Sequence, residues 1–357
     1  MDKRNDLIDI AKGISIILVA FGHSKLSALF PNFNDAVMLL RIPFFFFLSG
    51  VFFSLSSEPT AFILHKTDAL LKPYFATLFF LVLITFLFGN SAMAWHEFIG
   101  IFYGNGQTIR WGSLWFLTHL WALFIVTYFV LYHTKIQTKS NFVKISFIVL
   151  LFVIGSFSVD MFWDKPVSIF GNEIEMPGLP FSIDIIFLSM AFFVSGYFLN
   201  QRVKTFKPKI DILLLAIFIF IAISHNTDAL IHFYSRKYHE PIYATLAAYA
   251  GIYIALSLSY YIGKNKFLTL SLTTFGSSSL FLLIFHAPIG IKANSILNYL
   301  FDLQLLNAIL SFLISITVPL LIKLLIQKSD FLMLFYFPFK SNKLFQNTSY
   351  FISKIKS

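Results

Sequence analysis

The chain has no cysteine and few charged residues. Without cysteine, disulfide bonds, thiolate nucleophiles and zinc–thiolate sites are excluded. Charged residues make up 12% of the 357 residues, about half the share found in soluble domains. Hydrophobic residues make up 57%, and 47 residues are phenylalanine. This composition argues against a water-soluble fold and predicts a multi-pass membrane protein.

The sequence also lacks the short motifs of several enzyme classes. It contains no phosphate-cradling glycine loop, no HExxH and no GxSxG, which removes the mechanisms that depend on them. The net charge is +10, but the lysines and arginines fall in short loops between apolar stretches. This distribution indicates membrane topology rather than a nucleic-acid-binding face. We therefore expect membrane lipid as surroundings, no nucleic-acid partner and no metal.

Apolar stretches long enough to span a membrane recur along the whole chain, each requiring about 20 residues. They cover residues 7–30, 36–56, 73–90, 112–132, 142–159, 181–200, 210–225, 242–262, 272–298 and 305–327. With a cytoplasmic N-terminus, most lysines and arginines fall on the inner side, as topology rules require. The prediction is an all-α bundle of about ten transmembrane helices with both termini cytoplasmic. Residues 1–330 form the membrane domain, and 331–357 form a basic tail with a short interfacial apolar patch.

The ionisable residues of the first apolar stretch include Lys12 and His23, which are eleven positions apart. Such residues are costly in a membrane helix and are usually kept for function. Eleven positions correspond to about three helical turns, or about 16 Å, which places a cation at the water boundary and an imidazole within the bilayer. Asp9 precedes Lys12 by three residues and can pair with it. The simpler alternative is that Lys12 snorkels to the interface and His23 only packs.

A second imidazole, His286, lies in the ninth apolar stretch at a depth similar to that of His23. Two imidazoles at one depth predict a proton-handling pair, or a base with an orienting partner. Alternatively, Pro288 kinks the helix and His286 bonds the carbonyl group that the proline leaves free. The sequence alone leaves both interpretations open.

Four further residues are candidates for binding a substrate. Arg41 either snorkels outward or holds an anionic ligand, and Ser49 lies further along the same stretch. Trp115 fits an aromatic belt at the outer interface, or it stacks on a sugar ring. His119 either lines an acceptor site or is a structural interfacial histidine.

Three cations near the predicted inner face could hold the phosphates of a cytosolic ligand. Lys66 and Lys72 precede the third apolar stretch, and Arg202 follows the sixth. For any single residue of this kind, a topology signal is the simpler explanation.

Several motifs occur together in a characteristic order. A basic residue, ten intervening positions and a histidine are formed by Lys12 and His23. The later segments are 42–50 (IPFFFFLSG), 72–74 (KPY), 114–117 (LWFL), 191–197 (AFFVSGY) and 286–288 (HAP). In this combination the chain resembles the acyltransferase-3 family of integral membrane acyltransferases, which includes bacterial sugar and polysaccharide O-acetyltransferases. Lys12 departs from the arginine of many members, and Arg41 and His119 also depart from the expected residue types.

The resemblance implies transfer of an acetyl or other short acyl group from acyl-CoA, with acetyl-CoA as co-substrate. The acceptor would be a hydroxyl of a cell-envelope polysaccharide or lipid-linked sugar at the bacterial cytoplasmic membrane. His23 would be the general base or a transient acyl acceptor, and His286 would assist it. Lys12, held by Asp9 and joined by Lys72, would attract the CoA phosphates or steady the thioester oxygen.

Two other classes compete with an acyltransferase. A transporter or flippase for a lipid-linked saccharide would also use charges inside the membrane. It should show paired broken helices in two related halves, and the sequence shows no such symmetry. A glycan-sensing membrane module without catalysis would tolerate loss of His23.

Overall fold

The computed structural model describes residues 6–55, 58–169 and 172–339. Almost all regular structure is helical, as the sequence predicts. The helices are α1 Asp6–Gly22, α2 Lys25–Leu29, α3 Pro31–Val51, α4 Pro59–Lys66, α5 Lys72–Phe88, α6 Ser91–Tyr103, α7 Trp115–Thr134, α8 Asn141–Ser158, α9 Ile186–Phe198, α10 Asn200–Lys204, α11 Ile210–Asn226, α12 Pro241–Ile262, α13 Lys266–Ser277, α14 Ser279–Leu300, α15 Gln304–Gln327 and α16 Asp330–Tyr336. Two short hairpins complete the fold: β1 Trp163–Ile169 with β2 Asn172–Pro177, and β3 Leu230–His232 with β4 Lys237–His239.

Within the described part of the chain, eight helical segments are long and apolar enough to cross a membrane. The helices α1 and α11 have 17 residues each and are shorter than these. The prediction of an all-α polytopic bundle is confirmed, and each of the ten apolar stretches coincides with helix. The number of spans and the side of the termini stay predictions.

Two of the predicted continuous spans are divided, so this detail of the sequence prediction is wrong. In the first, α1 ends at Gly22 because the amides of His23 and Ser24 bond to carbonyls three residues back, which tightens and closes the helix. The Ser24 hydroxyl also donates to the Phe21 carbonyl at 2.7 Å. In the ninth, Ser278 separates α13 from α14. An apolar stretch does not show where a helix is interrupted, because serine occurs both within helices and at the turns between them.

The two hairpins were not predicted, since their strands are short, with at most seven residues each. In the second, antiparallel pairing joins Leu230 to His239 and His232 to Lys237. This hairpin connects α11 to α12 and carries His232.

The chain forms two compact units, each described by itself. The first comprises Met1–Phe53, Lys135–Met176 and Asp184–Leu320. Its helices α1 and α13 touch backbone to backbone, because a Cβ on Gly13 would overlap the Leu272 carbonyl and one on Gly276 would overlap the Asp9 carbonyl. Reciprocal glycines of this kind let membrane helices approach closely.

The helices α3 and α9 of the same unit repeat this arrangement. A Cβ on Gly50 would overlap the carbonyl of Phe193, and one on Gly196 would overlap that of Phe47. Both glycines belong to motifs singled out in the sequence. Their packing contact fixes α3, which carries Arg41 and Ser49.

The second unit comprises Ser54–Thr134, Pro177–Ile183 and Leu321–Ser357. A π-helical turn, Thr67–Leu71, joins α4 to α5. The buried Tyr74 hydroxyl donates to the Ile101 carbonyl at 2.7 Å, which ties α5 to α6. The Thr85 hydroxyl donates to Glu97 Oε2 at 2.8 Å and adds a second tie between these helices.

Candidate active site

The first unit brings together the two imidazoles that the sequence analysis paired. The ring centroids of His23 and His286 lie 5.2 Å apart, with the rings tilted by 58°. His286 is buried, at 1% exposure, whereas His23 is exposed. Because α1 closes at Gly22, His23 lies beyond the helix end, where the residue is exposed. The predicted proximity of the two rings is therefore confirmed; their roles stay predictions.

The hydrogen bonding of His286 fixes which of its nitrogens can act as a base. Its Nδ1 lies 2.6 Å from the Leu282 carbonyl oxygen, which can only accept, so Nδ1 carries the proton in the neutral ring. Its Nε2 is buried and has no hydrogen-bond partner among the described residues. Proline has no amide hydrogen, so Pro288 leaves the Ile284 carbonyl without its helical hydrogen bond. His286 does not bond this carbonyl, because its Nδ1 bonds the Leu282 carbonyl instead. The alternative in which His286 bonds the carbonyl freed by Pro288 is therefore wrong, and the Nε2 atom of His286 is a buried acceptor within the pair.

Arg41 of α3 adds a positive charge beside the imidazole pair. Its side chain is buried, at 8% exposure, and Nη1 has no hydrogen-bond partner within the described residues. A Cβ on Gly22 would overlap this nitrogen, so the guanidinium occupies space left by the glycine that precedes His23. Its charge acts on both His23 and His286. Arg41 therefore does not snorkel outward, the simpler of its two predicted roles.

A third imidazole, His232 of β3, was missed by the sequence analysis. Burial, followed by the charges of Arg41 and Lys237, lowers the pKa of His232 to about 4, so this ring is neutral at neutral pH. The Ser235 amide donates to its Nδ1 at 3.1 Å, which leaves the proton on Nε2. His232 lies close enough to His23 for the two rings to interact electrostatically. The only sequence signal was a histidine in a loop, which has no depth or periodicity to interpret.

The predicted pair at the other end of α1 is present. The Asp9 carboxylate lies 3.8 Å from Lys12 Nζ, and Nζ also lies 3.5 Å from the centroid of the Phe52 ring. Eleven residues of α1 separate Lys12 from His23, about 16 Å along the axis. That span is much longer than a lysine side chain, so Lys12 does not reach an atom that contacts His23.

Arg202 lines a basic cavity of about 550 Å³ in the first unit, between α10, α11 and α12. Lys207 and Lys209 of the following loop line it as well, together with the rings of Phe206 and Tyr253. The Lys209 amide donates to the Tyr253 hydroxyl at 3.0 Å, which anchors the loop. In the sequence, both lysines indicate only membrane topology. The cavity combines cations for phosphates with aromatic faces for a planar ring.

The two other predicted donor-binding lysines lie in the second unit. Lys72 Nζ lies 2.5 Å from Asp68 Oδ1 and donates to the Phe337 carbonyl at 2.6 Å. Lys66 Nζ lies 3.7 Å from the centroid of the Phe124 ring. These contacts give both lysines a packing role within their unit, and their binding of a donor stays a prediction.

The remaining substrate candidates are held by their own neighbours. Trp115 and His119 are buried in the second unit with ring centroids 5.7 Å apart, and His119 Nδ1 lies 3.4 Å from the Phe181 carbonyl oxygen. In the first unit, the Ser49 hydroxyl donates to the Phe45 carbonyl at 2.9 Å. Their contacts with a substrate stay predictions.

Chemically, the first unit combines an exposed imidazole, a buried imidazole and a buried guanidinium, and the last two each have a nitrogen without a hydrogen-bond partner in the part of the chain that the structure describes. Such a set can remove a proton from a hydroxyl and stabilise negative charge on a neighbouring oxygen. The family model described as "Acyltransferase domain" matches residues 5–327. Searches of curated proteins and of solved structures find no match.

Proposed function

The chain belongs to the acyltransferase-3 family of integral membrane acyltransferases, and we propose that it moves an acetyl or other short acyl group from acyl-CoA to a hydroxyl. The proposed acceptor is a cell-envelope polysaccharide or a lipid-linked sugar, and the proposed location is a bacterial cytoplasmic membrane. The observation that carries the proposal is the exposed His23 ring, 5.2 Å from the buried His286 ring.

His23 is the general base of the proposed reaction. One ring nitrogen takes the proton of the acceptor hydroxyl as the oxygen attacks the thioester carbonyl. The neighbouring His286 ring can help to hold the resulting charge, because its buried Nε2 has no hydrogen-bond partner among the described residues and is free to accept a proton. The His286 tautomer is fixed by Leu282, as orienting bonds fix catalytic imidazoles.

The first test measures thioester turnover by the purified protein in detergent. Because the chain has no cysteine, a chromogenic thiol reagent detects only the CoA that the reaction releases. We expect release of CoA from acetyl-CoA, faster when cell-envelope glycan is added, and acetylated glycan by mass spectrometry. Absence of CoA release with water and with glycan as acceptor would refute the proposal.

The basic cavity at Arg202 is proposed to hold the phosphates and adenine of acyl-CoA. Substituting Arg202, Lys207 or Lys209 with alanine should each raise the KM for acetyl-CoA about five-fold, because each removes a charge-assisted contact. The kcat should not change, since the cavity binds donor and transition state equally. Adenosine 3',5'-bisphosphate should compete with acetyl-CoA. Lys139→Ala, which removes an exposed lysine elsewhere in the unit, is the control and should keep the wild-type KM; equal KM values in all four variants would reject this site.

Lys12 is proposed to attract the donor phosphates at the cytoplasmic end of α1. Lys12→Ala should raise the KM for acetyl-CoA several-fold and leave kcat nearly unchanged, because the lysine lies too far from His23 to act on the reacting atoms. Lys12→Arg keeps the charge and should behave as the wild type. An unchanged donor KM in Lys12→Ala would remove this role, and a selective loss of kcat would place Lys12 at the reacting atoms instead.

A further inference from the structure

The guanidinium of Arg41 is a buried charge for which packing gives no reason. Within the described chain it forms no ion pair, and Nη1 lacks a hydrogen-bond partner. Asp35 of the same helix attracts it electrostatically but makes no ion pair with it. Leaving a buried charge without a partner costs several kcal/mol. If Arg41 served only the stability of the fold, we would expect each of its N–H groups to have a hydrogen-bond acceptor.

The position of the guanidinium relates it directly to the imidazole pair. Gly22 immediately precedes His23, and its missing side chain provides the space that Nη1 occupies. The charge of Arg41 acts on His23, His286 and His232. The Nη1 donor, which has no hydrogen-bond partner among the described residues, therefore lies beside the glycine that precedes the exposed His23.

Acyl transfer needs such a donor beside the base. When a hydroxyl oxygen attacks a thioester, the carbonyl oxygen becomes negative, and it lies close to the base that takes the proton. A preorganised donor aimed at that oxygen is usually the largest electrostatic contribution to the rate. Lys12, the cation that the sequence suggested for this task, is about three helical turns away.

We infer that Arg41 is a catalytic residue that holds the carbonyl oxygen of the thioester as negative charge develops on it. This inference rests on the proposed function. His23 takes the proton from the acceptor hydroxyl, the hydroxyl oxygen bonds to the carbonyl carbon, and the carbonyl electron pair moves to the oxygen at Arg41. The pair then returns, the carbon–sulfur bond breaks, and the CoA thiolate leaves with the proton from His23.

The test compares two acceptors in the CoA-release assay, water and cell-envelope glycan. In Arg41→Gln, kcat for acetyl-CoA hydrolysis should fall about 100- to 1,000-fold, as when an oxyanion donor is removed. The KM for acetyl-CoA should stay within about three-fold, because the contact forms in the transition state. Arg41→Lys, which keeps the charge but not the planar fork, should retain intermediate activity.

A second variant tests the position of the guanidinium without removing it. Gly22→Ala places a methyl group where Nη1 lies, and the flexible end of the arginine side chain can move aside with the fold intact. We expect kcat to fall about ten-fold or more. Lys25→Gln, which removes an exposed cation two residues after His23, is the matched control and should leave kcat unchanged.

Three outcomes would overturn the inference. A fourth outcome would refute the proposed function instead. If Arg41→Gln keeps hydrolysis intact and raises only the KM for glycan, Arg41 binds an anionic group of the acceptor, since water has none. Wild-type kcat in Gly22→Ala would show that the guanidinium position does not matter, and an equal loss in Lys25→Gln would indicate a general charge effect. If the wild-type protein releases no CoA with either acceptor, the proposed function itself fails.

Discussion

Replacing His23 with alanine is expected to lower kcat for acyl transfer by about 100- to 10,000-fold, the usual contribution of a general base. The donor KM should change little, because His23 lies apart from the basic cavity on other helices. Expression and membrane insertion should be normal, since the ring lies beyond the end of α1 and is exposed. The measurements are CoA release by the purified variant and, in cells that have the variant as their only copy of this protein, acetylation of the surface glycan.

His286→Ala and His96→Ala complete this experiment. His286→Ala should lose less activity than His23→Ala if the buried ring assists and the open ring is the base. A larger loss in His286→Ala would assign the base to His286, whose Nε2 is the unpartnered acceptor. His96 is an exposed histidine of α6, and its removal should leave the rate unchanged. Retained glycan acylation in His23→Ala would contradict the role of His23 altogether.

Replacing Asp184 with alanine is expected to destabilise the protein by about 3–5 kcal/mol, the cost of leaving a buried charge unpaired. The Arg236 Nε atom lies 2.8 Å from Asp184 Oδ2, and both side chains are fully buried. The guanidinium also donates to the Tyr234 carbonyl at 2.7 Å and lies 4.6 Å from the Trp163 ring centroid. The free energy of unfolding, measured by chemical denaturation in detergent, checks this expectation.

A double variant separates the loss of the pair from the exposure of one charge. Asp184→Leu combined with Arg236→Met removes both charges and fills similar volume, so it should recover much of the stability lost in Asp184→Ala. Asp160→Ala, which removes an exposed carboxylate nearby in sequence, should have little effect. If Asp184→Ala unfolds at the wild-type denaturant concentration, the ion pair does not contribute to stability.

Part of the site could be predicted from the sequence because it depends on distance along a helix. Counting residues from the predicted membrane face placed His23 and His286 at one depth, and the two rings are neighbours. The count succeeded although both helices are broken, since the rings of the two histidines still lie 5.2 Å apart between centroids. Asp9 and Lys12 pair for the same reason, being three residues apart on one helix.

The other parts of the site depend on contacts between segments that are distant in the chain, and a single sequence does not show which segments pack together. Arg41 meets Gly22 only because α1 and α3 pack together, and His232 joins the imidazoles only through a hairpin. Arg236 was interpreted as a topology signal, and its partner Asp184 is 52 residues away. Lys72 could not be distinguished from a free cation until its contacts with Asp68 and Phe337 were known.

The reciprocal glycines between α1 and α13 restrict how the enzyme can work. If α1 slid along its axis, Gly13 would have to pass the Leu272 carbonyl, and the Asp9 carbonyl would have to pass Gly276. These are contacts with backbone atoms, so no flexible side chain can move aside. These glycine contacts therefore oppose sliding of α1, the helix that ends immediately before His23. In the proposed reaction, the thioester of acyl-CoA has to be brought to His23, so the length of the pantetheine arm limits how far from His23 the nucleotide can be held.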